Sequence, residues 1–167
     1  FHIARGKTLK AVDHVHFTIY KGETLGLVGE SGCGKSTTGR CLVKLYKPES
    51  GTIKYRGKDI FTYTKEEEKQ FRKNVQMIFQ NPHSSLNPRM TVKDIVGSGM
   101  KLHGLATDKD VDQKVEEILK EVGLNRDHMS RFPHEFSGGQ KQRIGIARAL
   151  AVKPEFVICD EPISALD

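Results

Sequence analysis

Residues 29–37 contain three glycines, a lysine and three hydroxyl side chains at a spacing that suits the binding of phosphate groups. The apolar run 24–28 precedes them and predicts a buried strand, and residues 37–45 have helical apolar spacing. We expect Gly29, Gly32 and Gly34 to take positive φ, so that successive N–H groups surround an anion at the start of that helix. A glycine-rich turn that binds nothing is the alternative, but a chance match is improbable in a chain of 167 residues.

Two side chains of this loop suit specific contacts with a nucleotide. The Lys35 ammonium is a mobile positive charge for the β- and γ-phosphates, and the Ser36 hydroxyl is placed to ligate Mg²⁺. The residues expected to contact the nucleotide are Gly29, Ser31, Gly32, Cys33, Gly34, Lys35, Ser36 and Thr37.

Two carboxylates follow the apolar run 156–159, which predicts another buried strand. A phosphate-loop enzyme needs a carboxylate at a strand end to hold Mg²⁺, and Asp160 fits that role. Glu161 is placed to orient or deprotonate an attacking water. Strands that end in acidic residues are common, so this pattern indicates a site only in combination with the phosphate loop.

The segment Ser137-Gly138-Gly139-Gln140 begins a predicted helix. Two glycines expose backbone N–H groups there, and a serine hydroxyl lies beside them, which suits a second anion-binding helix terminus. A simple N-cap by Ser137 is the alternative.

Composition and charge describe a globular protein with a net charge of +6, which suits an anionic partner. The charge is spread along the chain, so a nucleic-acid groove is not indicated. No apolar run approaches the roughly 20 residues of a membrane span, and residues 1–7 lack the apolar core of a signal peptide. Cys33, Cys41 and Cys159 lack metal-ligand spacing, and their odd number favours a reduced cytosolic setting. We expect Cys33 to be reactive and the other two thiols to be buried and inert.

Apolar periodicity predicts the remaining elements. Strands are expected within the alternating stretch 11–28 and at 52–55, 75–79 and 156–159. Helices are expected over 65–72, over 92–100 with Thr91 as cap, over 111–122 between Asp108 as cap and Gly123 as stop, and from Ser137 with Ile144, Ala147 and Leu150 on its apolar face. This order predicts an α/β core, residues 1–83 and 152–167, that carries a helical subdomain, residues 84–151.

The motifs resemble those of ABC-type ATPases over nearly the whole chain. They are the phosphate loop, Gln80 after a strand, residues 137–140, Asp160-Glu161 and residues 164–167, in that order. The segment 79–91, Phe-Gln-Asn-Pro-His-Ser-Ser-Leu-Asn-Pro-Arg-Met-Thr, is similar to the ATPase subunits of bacterial oligopeptide and dipeptide importers. Nickel importers of the same group look alike. The resemblance implies a P-loop NTPase (RecA-like) core with an N-terminal antiparallel β part and an inserted helical subdomain, incomplete at its C-terminus.

The resemblance also implies roles for individual residues. Lys35, Ser36 and Thr37 would contact phosphates and Mg²⁺, and Gln80 would sense Mg²⁺ and the water and link them to the membrane subunits. Ser36, Gln80 and Asp160 are the expected metal-site residues, and Glu161, Gln80 and Lys35 the expected catalytic ones. Contacts in trans to ATP on a second subunit are expected from Ser137, Gly138, Gly139, Gln140 and Asp167. Phe1 is the candidate for stacking on adenine.

Three departures from the family pattern stand out. Phe136 replaces the usual leucine and Ile163 the usual threonine, and we expect little effect from either. The family pattern continues to a further strand and a switch histidine that this sequence does not contain. His128 and His134 precede Asp160, and we interpret them as surface or helical-subdomain residues. We therefore expect this chain alone to hydrolyse ATP poorly and to have low stability.

The leading hypothesis is an ATP-hydrolysing subunit of a bacterial peptide importer, with ATP and Mg²⁺ at its site. Its expected partners are a second ATPase subunit in a head-to-tail dimer, membrane permease subunits and, indirectly, a substrate-binding protein, but no nucleic acid. Its expected location is cytoplasmic, peripheral on the inner face of the bacterial cell membrane. The alternatives are a nickel importer ATPase, a soluble ABC ATPase that acts on nucleic acid, and a nucleotide-binding module without turnover.

Overall fold

The computed structural model describes residues 2–4, 7–8, 10–81 and 85–161, the first two ranges by their backbone alone. The chain divides into two compact units, residues 1–61 and 62–167. The second unit contains the strand at 75–78 together with the helices that follow it. The predicted subdomain boundaries after residues 83 and 151 stay a prediction.

Among the residues described for it, the first unit contains one α-helix and two short antiparallel strand pairs. Its elements are β1 (His2–Ala4), β2 (Lys7–Thr8), α1 (Lys35–Leu42), β3 (Lys54–Tyr55) and β4 (Lys58–Asp59), with β1 paired to β2 and β3 to β4. Arg56 and Gly57 have φ of 54° and 81°, and positive φ at both central residues is the geometry of a tight two-residue hairpin turn. The hairpin leads into Ile60, which is fully buried.

The strand predicted at the apolar run 24–28 and the other strand expected within the alternating stretch 11–28 are both wrong. Residues 11–28 form no strand in the structure, and Val28, expected inside a sheet, is 93% exposed. A strand is stable only against a hydrogen-bonded neighbour, and the strand pairs within the described ranges do not include this segment. The helix predicted at 37–45 exists but begins at Lys35 and ends at Leu42, since Lys44 takes a φ of 59°.

The second unit contains four helices and two strands among the residues described for it, besides short 3₁₀ turns. The elements are α2 (Lys65–Asn74), β5 (Val75–Ile78), α3 (Val92–Leu102), α4 (Val111–Glu121), α5 (Gly138–Leu150) and β6 (Phe156–Cys159). All six were predicted from the sequence, within a few residues at each end.

Helices α3, α4 and α5 pack around one apolar core. The side chains of Val92, Val96, Val115, Leu119 and Ile144 are all completely buried in it. Burial of each such side chain stabilises the fold by roughly 1.5–3 kcal/mol. This burial holds the three helices against one another. None of the helices that the structure describes is long and apolar enough to cross a membrane.

Strands β5 and β6 form a parallel pair, with Val75 opposite Phe156 and Ile78 opposite Cys159. The connection between them contains α3, α4 and α5, as parallel pairing requires a long crossover. Because the carboxyl ends of parallel strands meet at one edge, the residues that follow Ile78 and Cys159 lie side by side. This register positions the candidate site of the second unit.

The predicted cap of α4 is the wrong aspartate. The residue at the N-cap position is Asp110, whose carboxylate accepts hydrogen bonds from Thr107 and lies 2.5 Å from the Lys114 ammonium. The contacts from Lys114 and Thr107 lower the pKa of Asp110. Asp108 pairs instead with Lys101, at 2.5 Å. Gly123 ends the helix as predicted, with a φ of 74°.

Candidate active site

The phosphate loop of the first unit has the backbone conformation that two of its glycines were expected to supply. Gly32 and Gly34 have φ of 80° and 100°. A Cβ on Gly34 would lie 2.1 Å from the carbonyl oxygen of Ala11, so no other residue fits there without displacing the backbone. The expectation of positive φ at Gly29 is wrong. A Cβ at position 29 would lie 2.7 Å from the Cys33 sulfur, so the exposed Cys33 side chain would have to rotate away.

Lys35 lies folded over the loop at the first turn of α1. Its ammonium donates to the carbonyl oxygens of Gly29 and Glu30, at 2.7 and 2.8 Å, and lies 4.0 Å from the Cys33 sulfur. The first turn of α1 contains no acidic side chain, so the positive end of the helix dipole is not neutralised within the helix. A positive charge and a helix N-terminus therefore lie together in this loop, which suits an anion.

The three cysteines differ in their surroundings. Cys33 is exposed, as expected for a reactive thiol in the loop. Burial raises the pKa of Cys41, which is half-buried. The expectation that Cys159 is buried is wrong, because it ends β6 with much of its side chain exposed. Partial burial nevertheless raises the pKa of the Cys159 thiol.

At the carboxyl end of the β5–β6 pair, the Gln80 amide nitrogen donates to a carboxylate oxygen of Glu161 at 2.6 Å. The Asp160 N–H donates to the carbonyl oxygen of Ile78 at 2.9 Å, so the ladder continues one residue beyond β6. Asp160 is 9% exposed, whereas Glu161 is exposed and has a φ of 46°, in the left-handed region. The structure thus joins Gln80 and Glu161, which the sequence predicted only as separate site residues.

The start of α5 is closed by a reciprocal cap. The Ser137 hydroxyl accepts from the Gln140 N–H at 3.3 Å, and the Gln140 side-chain oxygen accepts from the Ser137 N–H at 3.1 Å. The N-cap interpretation of this segment is therefore confirmed. Gly138 and Gly139 belong to the first turn, whose N–H groups have no partner within a helix, so anion binding there stays a prediction. Phe136 before it is buried and packs edge-on against His128, with 5.4 Å between ring centres.

Two polar side chains of α5 contact the chain around Gln80. The buried Gln142 amide donates to the carbonyl oxygen of Phe79 at 3.4 Å. The Arg148 guanidinium donates to the carbonyl oxygen of Ser85, and burial lowers the pKa of Arg148. Our sequence reasoning missed both residues, because Gln142 lies off the predicted apolar face of Ile144, Ala147 and Leu150, so helical periodicity does not mark it as buried.

Two predicted site residues, Phe1 and Asp167, lie outside the described part of the chain. The rest of the segment 162–167, with the departure at Ile163, lies outside it too. The phosphate loop belongs to the first unit, and Gln80, Asp160, Glu161 and Ser137 to the second.

The residues that could ligate Mg²⁺ offer the hard oxygen donors that this ion prefers. They are the Ser36 hydroxyl, the largely buried Asp160 carboxylate and the Gln80 amide oxygen. Gln80 contacts Glu161 through its amide nitrogen. The amide oxygen of Gln80 is therefore the atom suited to a cation. Groups of three or more His, Cys, Asp or Glu side chains that would hold a metal by themselves do not occur in the part of the chain described.

Comparisons with known proteins agree with these observations. The chain is 59% identical over 162 residues to the oligopeptide transport ATP-binding protein OppF of Bacillus subtilis, covering 96% of this chain and 53% of that protein. It is 57% identical over 161 residues to the dipeptide transport ATP-binding protein DppF of Lactococcus lactis, covering 95% and 52%. The chain thus spans about half the length of these curated relatives.

Among solved structures, the chain matches the ATP-binding cassette MJ0796, determined as a dimer in a post-hydrolysis state with ADP and phosphate. The TM-score is 0.85 at 30% identity, over 94% of this chain and 68% of that one. The fold is therefore the P-loop fold of ATP-binding cassettes. The family profile described as ABC transporter matches residues 12–164. On the motifs, the fold and this match together, the chain belongs to the ABC transporter family of ATP-binding proteins.

Proposed function

We propose that this chain is the ATP-binding and ATP-hydrolysing part of a bacterial importer of oligopeptides or dipeptides. The observation that carries the proposal is the contact between Gln80 and Glu161, because it joins an amide and a candidate base at the end of a parallel strand pair. Identities of 59% and 57% to oligopeptide and dipeptide transport ATP-binding proteins support the transported class.

In the first unit, the phosphate loop would bind the nucleotide. The positive φ of Gly32 and Gly34 turns the backbone tightly into α1, and the N–H groups of that turn would donate to phosphate oxygens. Lys35 already donates to two loop carbonyls. Phosphate oxygens, being charged, are stronger acceptors than carbonyls, so the ammonium would exchange these contacts for the β- and γ-phosphates.

In the second unit, Glu161 would act as the general base on the attacking water. Its carboxylate takes the water's proton as the oxygen attacks the γ-phosphorus, and the bond to the leaving ADP oxygen breaks. The hydrogen bond from Gln80 holds one carboxylate oxygen of Glu161 and so restricts the rotation of the carboxylate. Holding the base in the orientation that the reaction needs lowers the activation barrier to ATP hydrolysis.

Mg²⁺, when bound, supplies charge neutralisation for the β- and γ-phosphate oxygens. Ser36, Asp160 and Gln80 are the residues that would hold it. Asp160 is suited to this because it is 9% exposed and its backbone is tied to Ile78, so its carboxylate is held in a defined place.

A second ATPase subunit would complete the site. We propose that Ser137, Gly138, Gly139 and Gln140 contact ATP bound by that subunit, with Asp167 across the same interface, because the related cassette MJ0796 is a dimer. Membrane permeases would be the remaining direct partners, and the chain would lie on the cytoplasmic face of the membrane. A substrate-binding protein would act only through the permeases. The peptide would not contact this chain.

The proposal is tested on the full-length protein that contains this chain. Binding of a fluorescent ATP analogue and release of phosphate are measured separately. Binding together with release supports the proposal, binding without release supports a nucleotide-binding module, and absence of binding contradicts both. In vesicles that contain the permeases and the substrate-binding protein, uptake of labelled peptide against uptake of nickel decides the transported class.

A further inference from the structure

Gln142 lies in the core as one of its few polar side chains. It is 1% exposed, and its amide donates to the carbonyl oxygen of Phe79, the residue before Gln80. A buried amide needs a partner because it has lost its contacts with water. The contact therefore ties α5 to the carboxyl end of β5, immediately before Gln80.

Arg148 makes the corresponding contact on the other side of Gln80. Its guanidinium, also on α5, donates to the carbonyl oxygen of Ser85. Arg148 is half-buried, and a guanidinium that loses part of its hydration requires acceptors to compensate. One helix thus holds the chain both before and after Gln80, through two side chains that are six positions apart.

We infer that Gln142 and Arg148 are positioning residues for Gln80: from α5 they fix the backbone on both sides of it and so set where its amide meets Glu161. The expected effect of these residues on the rate of ATP hydrolysis rests on the proposed function, whereas their expected effect on the position of Gln80 does not. Helix α5 also begins at the Ser137–Gln140 cap. The cap and both positioning residues therefore belong to one helix of 13 residues.

The structural consequence is tested in the full-length protein with Gln142→Leu and Arg148→Met. Arg143→Met is the matched control, because Arg143 lies on the same helix and donates to a backbone carbonyl, that of Val122, at 3.4 Å. We expect faster hydrogen exchange at residues 76–81 and altered side-chain NMR signals of Gln80 in both test variants, and neither change in the control. Unchanged signals in both test variants, or equal changes in the control, would overturn the inference.

The kinetic consequence is a lower kcat at a nearly unchanged KM for ATP, since nucleotide binding is assigned to the phosphate loop. Arg148→Met should lower kcat between about tenfold and a hundredfold, and Arg148→Lys, which keeps one donor, should restore part of it. In a Gln80→Ala background Arg148→Met should have no further effect. If it lowers kcat equally in both backgrounds, Arg148 acts through general packing and the inference is wrong.

The two proposals can fail separately. A native protein that binds ATP but releases no phosphate contradicts the proposed hydrolysis, whereas the exchange and NMR measurements still decide the role of Gln142 and Arg148. If Arg148→Met does not fold, Arg148→Lys and Gln142→Leu are measured in its place, with the same expected direction of change.

Discussion

The side-chain amide of Gln80 lies 2.6 Å from the carboxylate of Glu161, although 81 positions separate the two residues in the chain. Two strands in parallel register make this possible, since Ile78 and Cys159 are opposite each other and the chain continues past both at the same edge. Strand β5 is largely buried, whereas β6, predicted to be buried, is only partly so. The position of the Glu161 carboxylate therefore depends on the position of the Gln80 amide that donates to it. A displacement of either backbone would change the orientation of the candidate base.

Replacement of Glu161 by Gln should preserve ATP binding and stop hydrolysis. The amide is nearly isosteric with the carboxylate but cannot accept the proton of the attacking water. We expect kcat in the full-length protein to fall at least about a hundredfold, and ATP to stabilise a dimer that size-exclusion chromatography detects. The matched control is Glu155→Gln, which changes a carboxylate before β6. Near-normal turnover in Glu161→Gln would show that the base lies elsewhere.

Replacement of Lys35 by Ala should abolish tight ATP binding. The ammonium is a charged donor in a loop built otherwise from backbone groups, and a charge-assisted hydrogen bond contributes roughly 1.5–3 kcal/mol. Calorimetry should show a loss of affinity of at least about tenfold. Lys21→Ala, which changes an exposed lysine of the same unit, should leave the affinity unchanged. Equal affinity in the Lys35 variant would remove this loop from the binding site.

The features that sequence reasoning predicted well are those determined by local chemistry. Ser137 and Gln140 are three residues apart, so their reciprocal cap depends on a single turn of helix. Strands β5 and β6 are short apolar runs between turn residues, and both lie where predicted. The prediction of Asp108 as the cap was wrong because Asp110, two positions further along, occupies the N-cap position, and an aspartate one or two residues before a helix gives the same local pattern.

Features that depend on distant neighbours were not predicted. The apolar run at 24–28 has the composition of a strand, but pairing decides whether a strand forms, and Val28 is exposed. The roles of Gln142 and Arg148 depend on how α5 packs against β5, which no local pattern specifies. The hydrogen bond between Gln80 and Glu161 depends on the parallel register of two strands far apart in sequence.

Two glycine-to-alanine changes should have opposite effects on stability. Gly34→Ala should destabilise the protein by more than about 1 kcal/mol, because φ is 100° and the new Cβ would meet the Ala11 carbonyl oxygen. Gly145→Ala should stabilise it by about 0.5–1 kcal/mol, because Gly145 is inside α5 and a Cβ there meets no atom within 4 Å. The urea midpoints of the two variants, compared with that of the native protein, check the signs. A native-like midpoint in Gly34→Ala would contradict the loop conformation.

ATP should protect Cys33 from alkylation, and the three thiols should react at different rates. Cys33 is exposed and lies 4.0 Å from the Lys35 ammonium, so a nucleotide in the loop would cover it. The pKa values of Cys41 and Cys159 are raised by burial above the ordinary thiol value of 9.0, so less of each thiol is thiolate near neutral pH. Their labelling should therefore keep speeding up as the pH rises past 9.0. Maleimide labelling at several pH values, with and without MgATP, is mapped by mass spectrometry.

Loss of Cys33 labelling with MgATP, but not with Mg²⁺ alone, is the expected result. The Cys33→Ser variant is the control that assigns the labelled site. If MgATP slows Cys159 and leaves Cys33 unchanged, the nucleotide does not occupy this loop.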